Sequence, residues 1–339
     1  MTSRELVKRT LEFRNTTGLV PREVWTLPVA RLNWGDAFDS VLRDFPNDVL
    51  TARPVMRETS PVTRGDMWKI GTYVDDWGCT FLNRQNGIVG EVKTPLVQDD
   101  DWQDWENIHI PENWLSFDNA DVDAYCDSVD GFVLAGCYPR PFEQLQFIRG
   151  TENLMMDLMD PPRNMLRAIE RMHEFYCRQL EKWAETKVDA LMIMDDWGTQ
   201  QSLLINPSIW KEMFRPLYQD YINIAKKHGK KMFMHSDGNT LAILPHLIDM
   251  GLDAINTQIF CMGFDQLRQY RGHITFWGEI DRQNLLPYGT PDEIRAAVDR
   301  VMENFWCDGG VIAQLEFGLG ARPENVRAAF DQWNTYGRT

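Results

Sequence analysis

From residue 129 onward, short apolar runs alternate with longer stretches whose apolar positions recur at helical spacing. The runs predict β-strands and the stretches predict amphipathic helices. GFVLAGCY at 131–138 is the first such strand; helical spacing follows over 142–160, interrupted by Pro161 and Pro162, and again over 164–186. The alternation continues with strands at 190–194, 231–234, 253–257, 273–277 and 310–314, and with helices at 207–228, 240–250, 264–270, 291–305 and 323–333. Asn206-Pro207 is a start signal for the 207–228 helix.

Strands joined by helical crossovers predict a parallel sheet, because parallel neighbours need connections long enough to return to the same edge. Neither GxGxxG nor GxxxxGK[ST] follows any of these strands, which removes the main reason to expect a nucleotide-binding open sheet. The expected fold is α/β, a (β/α)8 TIM barrel. Residues 1–128 are less regular, with helices at 3–14 and 36–43 and several Trp-rich, turn-rich segments. The stretch 71–96, containing DDWGC and GIVGEV, reads as a β-hairpin or insertion feeding the barrel mouth. No Gly/Ser linker or low-complexity tract marks a boundary, so 1–339 is read as one domain with an N-terminal extension.

The chain is 43% hydrophobic, enough for a large core at 339 residues. Its formal charge of −15 argues against a nucleic-acid surface, which needs a basic patch. An acidic surface suits a soluble protein and could also meet a basic patch on another protein. The six cysteines are scattered without a CxxC pair, and the N-terminus does not read as a secretory leader. Reduced thiols in a cytoplasm are expected, and no run approaches the ~18 apolar residues of a membrane span.

In a parallel barrel, residues just past each strand's C-terminal end face the active site. Those positions are polar here: Asp195 and Asp196 after ALMIM, His235, Ser236 and Asp237 after KMFM, Gln258 after AINT, Glu279 and Asp281 after ITFWG, and Glu316 after GVIAQ. His235-x-Asp237 sets two ligand-capable groups on one side of an extended segment, and Glu316 could approach from a later strand. One imidazole and two carboxylates suit Zn²⁺ with an open position, or iron or manganese. A competing reading makes Asp237-Gly238 a βα turn, with Asp237 capping the next helix and His235 a hydrogen-bonded rim residue. Likewise Asp195, Asp196 and Trp197 read either as a strand-end turn with Trp filling the barrel top or as a substrate-binding carboxylate. The other histidines, His109, His173, His228, His246 and His273, are expected in packing or surface roles, and Cys261 as a buried or loop thiol. The Trp-rich segments 25–34 and 102–114 are expected to pack, though a rim aromatic could stack on a flat substrate.

Taken together, DDWGC (75–79), GIVGEVK (87–93), FEQLQFIRGTENLMMDL (142–158), DDWGTQ (195–200), HSDGN (235–239) and GGVIAQLE from 309, followed by PENV, resemble the uroporphyrinogen decarboxylase-like barrels. That superfamily holds both the haem-pathway decarboxylase and zinc-dependent, corrinoid-linked methyltransferases. The decarboxylases resemble one another in an N-terminal RQAGR-type signature, which this chain lacks, offering only Arg14 and Arg22 in that region. Bidentate arginines are the natural grip on many carboxylates, so a tetrapyrrole substrate is disfavoured. The methyltransferases typically hold zinc with a His-x-Cys pair and a later Cys, where this chain has His235-x-Asp237 and Glu316.

By this analogy His235, Asp237 and Glu316 are expected as Zn²⁺ ligands, Asp195, Asp196 and Glu279 as catalytic groups, and Trp197, Gln258 and Gln314 as substrate contacts. Oxygen ligands suit an oxygen leaving group, as in demethylation of a methyl ether. No DxHxxG-type corrinoid motif occurs, so cobalamin would arrive on a separate corrinoid protein. The activity implied is transfer of a methyl group from a small methoxylated substrate to that protein. Two alternatives stand beside it: a decarboxylase-like carbon–carbon lyase of porphyrin metabolism, with Asp195 or Asp196 stabilising a protonated pyrrole, and a non-catalytic ligand-binding barrel. Homodimerisation is left open; nucleic acid and membrane are not expected partners.

Overall fold

The computed structural model describes residues 1–337. Its strands are β1 (Arg22–Thr26), β2 (Val49–Thr51), β3 (Gly71–Val74), β4 (Thr80–Asn83), β5 (Glu91–Thr94), β6 (Phe132–Leu134), β7 (Ala190–Met194), β8 (Lys231–Ser236), β9 (Ala254–Thr257), β10 (Thr275–Trp277) and β11 (Val311–Phe317). Eight of them form a parallel sheet in the order β1-β11-β10-β9-β8-β7-β6-β2, with helices outside it, a nearly closed (β/α)8 barrel. The closing seam lies between β1 and β2 and is held by the loop before β2: Asp48 N–H donates to the Arg22 carbonyl (2.9 Å), and Val24 N–H donates to the Asn47 side chain (2.8 Å). A side-chain amide thus takes the place of the missing ladder bond.

Side chains fill the barrel from below. Phe132, Phe233, Ala190, Ala254 and Ile312 pack inside it, and the helix Ser3–Leu11 plugs the N-terminal end with Val7 and Leu11. Arg4 and Lys8 of that helix pair with Asp189, at 3.0 and 2.7 Å, just ahead of β7. Outside the barrel, the helix Arg163–Ala184 buries Met165, Ile169, Met172, Tyr176, Leu180 and Trp183 at spacings of three and four, the stripe that the sequence pattern predicts.

Several elements differ from expectation. The 142–160 helix breaks at Gly150, whose φ of +81° ends Pro141–Arg149 and starts Thr151–Asp157. That turn lets buried Arg149 reach Asp157 at 2.7 Å. The 207–228 helix passes through a π-helical turn at Trp210–Phe214, next to Pro216, which has no N–H to donate. Strand β11 runs to Phe317 because β1 pairs along it, Trp25 opposite Glu316 and Thr26 opposite Phe317. The 71–96 segment forms an antiparallel sheet, β3-β4-β5, whose Trp77, Cys79 and Phe81 join the same buried cluster as the barrel's helices. No helix among the described residues is long and apolar enough to cross a membrane.

Candidate functional site

His235 lies within β8, opposite Met194 of β7 and Asn256 of β9. Its Nδ1 is 2.6 Å from Asn256 Oδ1. The Asn256 amide is itself fixed, since its Nδ2 donates to the Trp277 carbonyl (2.5 Å) and to Gln314 Oε1 (2.8 Å). Asn256 therefore presents only oxygen to the imidazole, so Nδ1 carries the proton and Nε2 turns a lone pair outward in the neutral ring.

Two carboxylates meet that lone pair. Asp196 Oδ1 and Asp237 Oδ1 each lie 3.5 Å from His235 Nε2, and one ligand atom from each of the three residues falls within 4.8 Å of the others. Asp196 is positioned by its own neighbour, as Asp237 N–H donates to Asp196 Oδ1 at 2.9 Å. Asp237 Oδ1 is buried and accepts no hydrogen bond, while Oδ2 is ion-paired with Arg282. A buried carboxylate oxygen without a donor, facing an imidazole lone pair and a second carboxylate, is the chemistry of a divalent-cation site with one nitrogen and two oxygen donors. Burial acts to lower the His235 pKa, yet the Asp196 and Asp237 carboxylates outweigh it and raise it.

Glu316 is not in this cluster. Its carboxylate accepts from Arg282 at 3.1 Å, and Arg282 also lies 3.8 Å from Glu279. Arg282 thus links Asp237, Glu279 and Glu316 through one guanidinium, and of the expected ligands His235, Asp237 and Glu316 only the first two share the cluster, with Asp196 as its third member. The reason is the length of β11: Glu316 stays in the ladder beside Trp25, at the edge of the barrel cavity, instead of crossing to β8. Glu279 is buried, which pushes its carboxyl up to about 7 against the pull of Arg282.

Other expected positions serve the frame. Asp195 is wholly buried and accepts from the N–H groups of Phe142 (3.0 Å) and Glu143 (2.7 Å) and from the Tyr218 hydroxyl, so it caps the helix Pro141–Arg149 and has no face for a substrate. Trp197 is equally buried, stacked on Phe142 at 4.1 Å with its Nε1–H donated to Tyr218 at 2.8 Å. Gln314 is buried and orients Asn256. Trp197 and Gln314, expected as substrate contacts, are thus both buried with protein partners. Gln258 accepts from Gln200 and, with Glu279, Asp281 and Arg282, lines a separate small cavity of about 90 Å³.

The barrel cavity went unread in the sequence. It opens inside the barrel, holds about 470 Å³, and is lined by Glu23, Trp25, Arg53, Tyr138, Met192 and Trp277 among others. It adjoins the Asp196, His235 and Asp237 cluster through Trp25, whose ring centre is 5.1 Å from that of His235. The alternation in REVWT, which sends Glu23 and Trp25 to one face, is the signal that could have found it. Arg282 and Asn256 carry no motif of their own.

Among solved structures, a methyltransferase from Methanosarcina mazei is similar over 99% of both chains, with a TM-score of 0.67 at 14% identity. A B12-independent methionine synthase from Shewanella sp. W3-18-1, in complex with selenomethionine, is similar over 87% of this chain and 85% of its own, with a TM-score of 0.50 at 10% identity. These likenesses establish the fold. No curated protein matches the sequence. The sequence pattern of uroporphyrinogen decarboxylase (URO-D) matches residues 74–336, and the chain belongs to that enzyme family.

Proposed function

We propose that the protein is a metal-dependent methyltransferase that passes a methyl group from a small methoxylated substrate to a corrinoid protein, with zinc as the metal. The observation that carries this reading is the donor set of Asp196, His235 and Asp237, with Asp237 Oδ1 left unpaired beside an imidazole already fixed in the ligating tautomer. When bound there, a divalent ion supplies Lewis-acid stabilisation of the negative charge left on an ether oxygen as its bond to the methyl carbon breaks.

The chain's own residues do the rest. Asn256 and Gln314 hold His235 in orientation, Arg282 holds the second oxygen of Asp237, and Trp25 and Trp277 form an apolar wall that keeps water from the donor's body. The cavity disfavours the decarboxylase reading. Arg53 is the sole cation lining it among the described residues, whereas a substrate with many carboxylates calls for several guanidinium groups. A corrinoid protein docking at the barrel mouth completes the proposal.

The test is metal content by mass spectrometry after zinc reconstitution. The wild-type chain should carry about one ion, and His235→Ala and Asp196→Ala should carry none. Glu316→Gln should keep its metal, because that carboxylate belongs to Arg282. A wild-type chain that binds no ion after reconstitution sinks the mechanism, and turnover of uroporphyrinogen by the metal-free protein would put the decarboxylase in its place.

A further inference from the structure

Glu23 is an acid where the barrel pattern asks for a packing residue. It is 5% exposed, sits on β1 one inward position (two residues, roughly 7 Å) below Trp25, and borders the cavity from within the barrel. Trp277 Nε1–H donates to its Oε2 at 2.8 Å. No guanidinium or ammonium lies within 4 Å of it among the described residues, and its side-chain hydrogen-bond partners are the indoles of Trp277 and Trp25. The cavity's other carboxylate, Glu316, pairs with Arg282 at 3.1 Å, a guanidinium it shares with Asp237. Arg53 is the one cation lining the cavity among the described residues, in a wall that also holds Trp25, Trp277, Tyr138, Met192 and Met194.

We infer that Glu23 is the substrate-recognising floor of this cavity: a carboxyl that donates a hydrogen bond to an oxygen of a flat, monoanionic ligand whose anionic end meets Arg53. The inference rests on the reading that the cavity holds the methyl donor, and it narrows that donor to an aromatic or similarly planar acid. A neutral carboxyl has one proton to donate and loses it on ionisation, so the ligand's oxygen is bound only by the protonated form. Burial raises the Glu23 carboxyl to about 8, against the hydrogen bonds from Trp277 and Trp25, so the donating form prevails at neutral pH. The competing occupant is a quaternary ammonium, which an aromatic wall with an ionised carboxylate would attract.

Binding by calorimetry to zinc-loaded protein tests this, with 4-methoxybenzoate, methoxybenzene and tetramethylammonium as probes. Glu23→Leu should weaken 4-methoxybenzoate about tenfold, and Glu23→Gln, which keeps a donor and an acceptor for Trp277, should stay within about threefold of wild type. Wild-type affinity should fall as pH rises from 6.5 to 9, and the fall should be absent in Glu23→Gln. Of the other ionisable groups around the cavity, burial pushes Tyr125 and Tyr138 above their ordinary range, Glu316 is paired with Arg282, and Arg53 is common to wild type and Glu23→Gln. His235 lies behind Trp25 in wild type and variant alike, so their difference isolates Glu23. Arg53→Met should weaken 4-methoxybenzoate and leave methoxybenzene unchanged.

Glu23→Leu binding as tightly as wild type would overturn the inference, as would a pH fall retained in Glu23→Gln, a wild type that ignores 4-methoxybenzoate, or preferential binding of tetramethylammonium. If Glu23→Leu does not fold, the Glu23→Gln pH profile still decides. Metal content read on the same samples judges the transferase reading separately, since a chain without zinc can still bind or refuse these probes.

Discussion

At the scale of single residues, the site depends on which nitrogen of His235 is free. Asn256 decides this, because its Nδ2 is committed to Trp277 and Gln314 and only its oxygen faces the ring. Replacing Asn256 with Leu would leave the His235 Nδ1–H buried without an acceptor and allow the ring to turn over. The expected cost is about 1–3 kcal/mol of stability and a loss of roughly 10–100-fold in zinc affinity, measured by denaturant unfolding and by chelator competition. Gln314→Ala should reproduce a smaller share of the affinity loss, because Asn256 keeps its bond to the Trp277 carbonyl. Zinc affinity unchanged in Asn256→Leu would show that the ring is held by something else. Sequence reasoning placed His235 and Asp237 on one face from strand periodicity alone, but the residue that orients the ring comes from a neighbouring strand and bears no pattern.

At the scale of elements, the cluster is made by two loops touching at glycines. After β7 and β8, Gly198 and Gly238 meet backbone to backbone, and Gly198 N–H donates to the Asp237 carbonyl at 3.0 Å. A Cβ on Gly238 would fall 2.2 Å from Gly198, and its φ of +76° already disfavours a side chain. Gly238→Ala should therefore separate Asp196 from Asp237, destabilise the fold by more than about 1 kcal/mol, and abolish stoichiometric zinc. Gly229 is the control: its φ is +65° but nothing lies within 4 Å, so Gly229→Ala carries only the backbone strain and should keep its metal. Full zinc occupancy in Gly238→Ala would refute the glycine contact as the positioning device. The same elements show what a sequence makes legible. Strand 190–194 could be read to the residue because its unbroken apolar run stops at Asp195, and helices 291–305 and 323–333 because each opens at a Pro and carries apolar residues at helical spacing. Strands β1 and β2 were missed because they are short, lie among turns and charged residues, and owe their pairing to β11 and β6 far along the chain. That omission also misplaced Glu316: without β1 beside it, β11 reads as ending at Gln314, and Glu316 reads as a loop residue free to reach the metal.

At the scale of the whole molecule, buried acids make folding and protonation one equilibrium. Burial raises Glu23 to about 8, Glu279 to about 7 and Asp75 to about 6, from ordinary values of 4.5, 4.5 and 3.8. Between roughly pH 5 and 8 the folded chain therefore holds protons that the unfolded chain has released, and stability must fall as pH rises through that window. His235 works in the same sense: its raised pKa makes a contribution that is present at lower pH and is lost as the ring deprotonates. Carboxylates held low, such as Asp118 by the Ala120 N–H and then by Arg57, or Glu181 by Lys227, act with the opposite sign but titrate below this range. The net charge of −15 adds self-repulsion that grows as the last acids ionise. Metal-free protein should accordingly unfold at lower denaturant concentration at pH 8.5 than at pH 5.5. Glu23→Gln and Glu279→Gln should each flatten part of the slope, since an amide has no proton to lose on unfolding. Zinc should flatten it further by removing His235 from the titration, so the slope difference between chelated and zinc-loaded protein becomes a measure of occupancy that needs no substrate. A chelated protein whose denaturant midpoint holds constant or rises from pH 5.5 to 8.5 would mean that these acids are ionised in the folded state. Glu23 would then meet its ligand as an anion, and the cavity would select a cation in place of an acid.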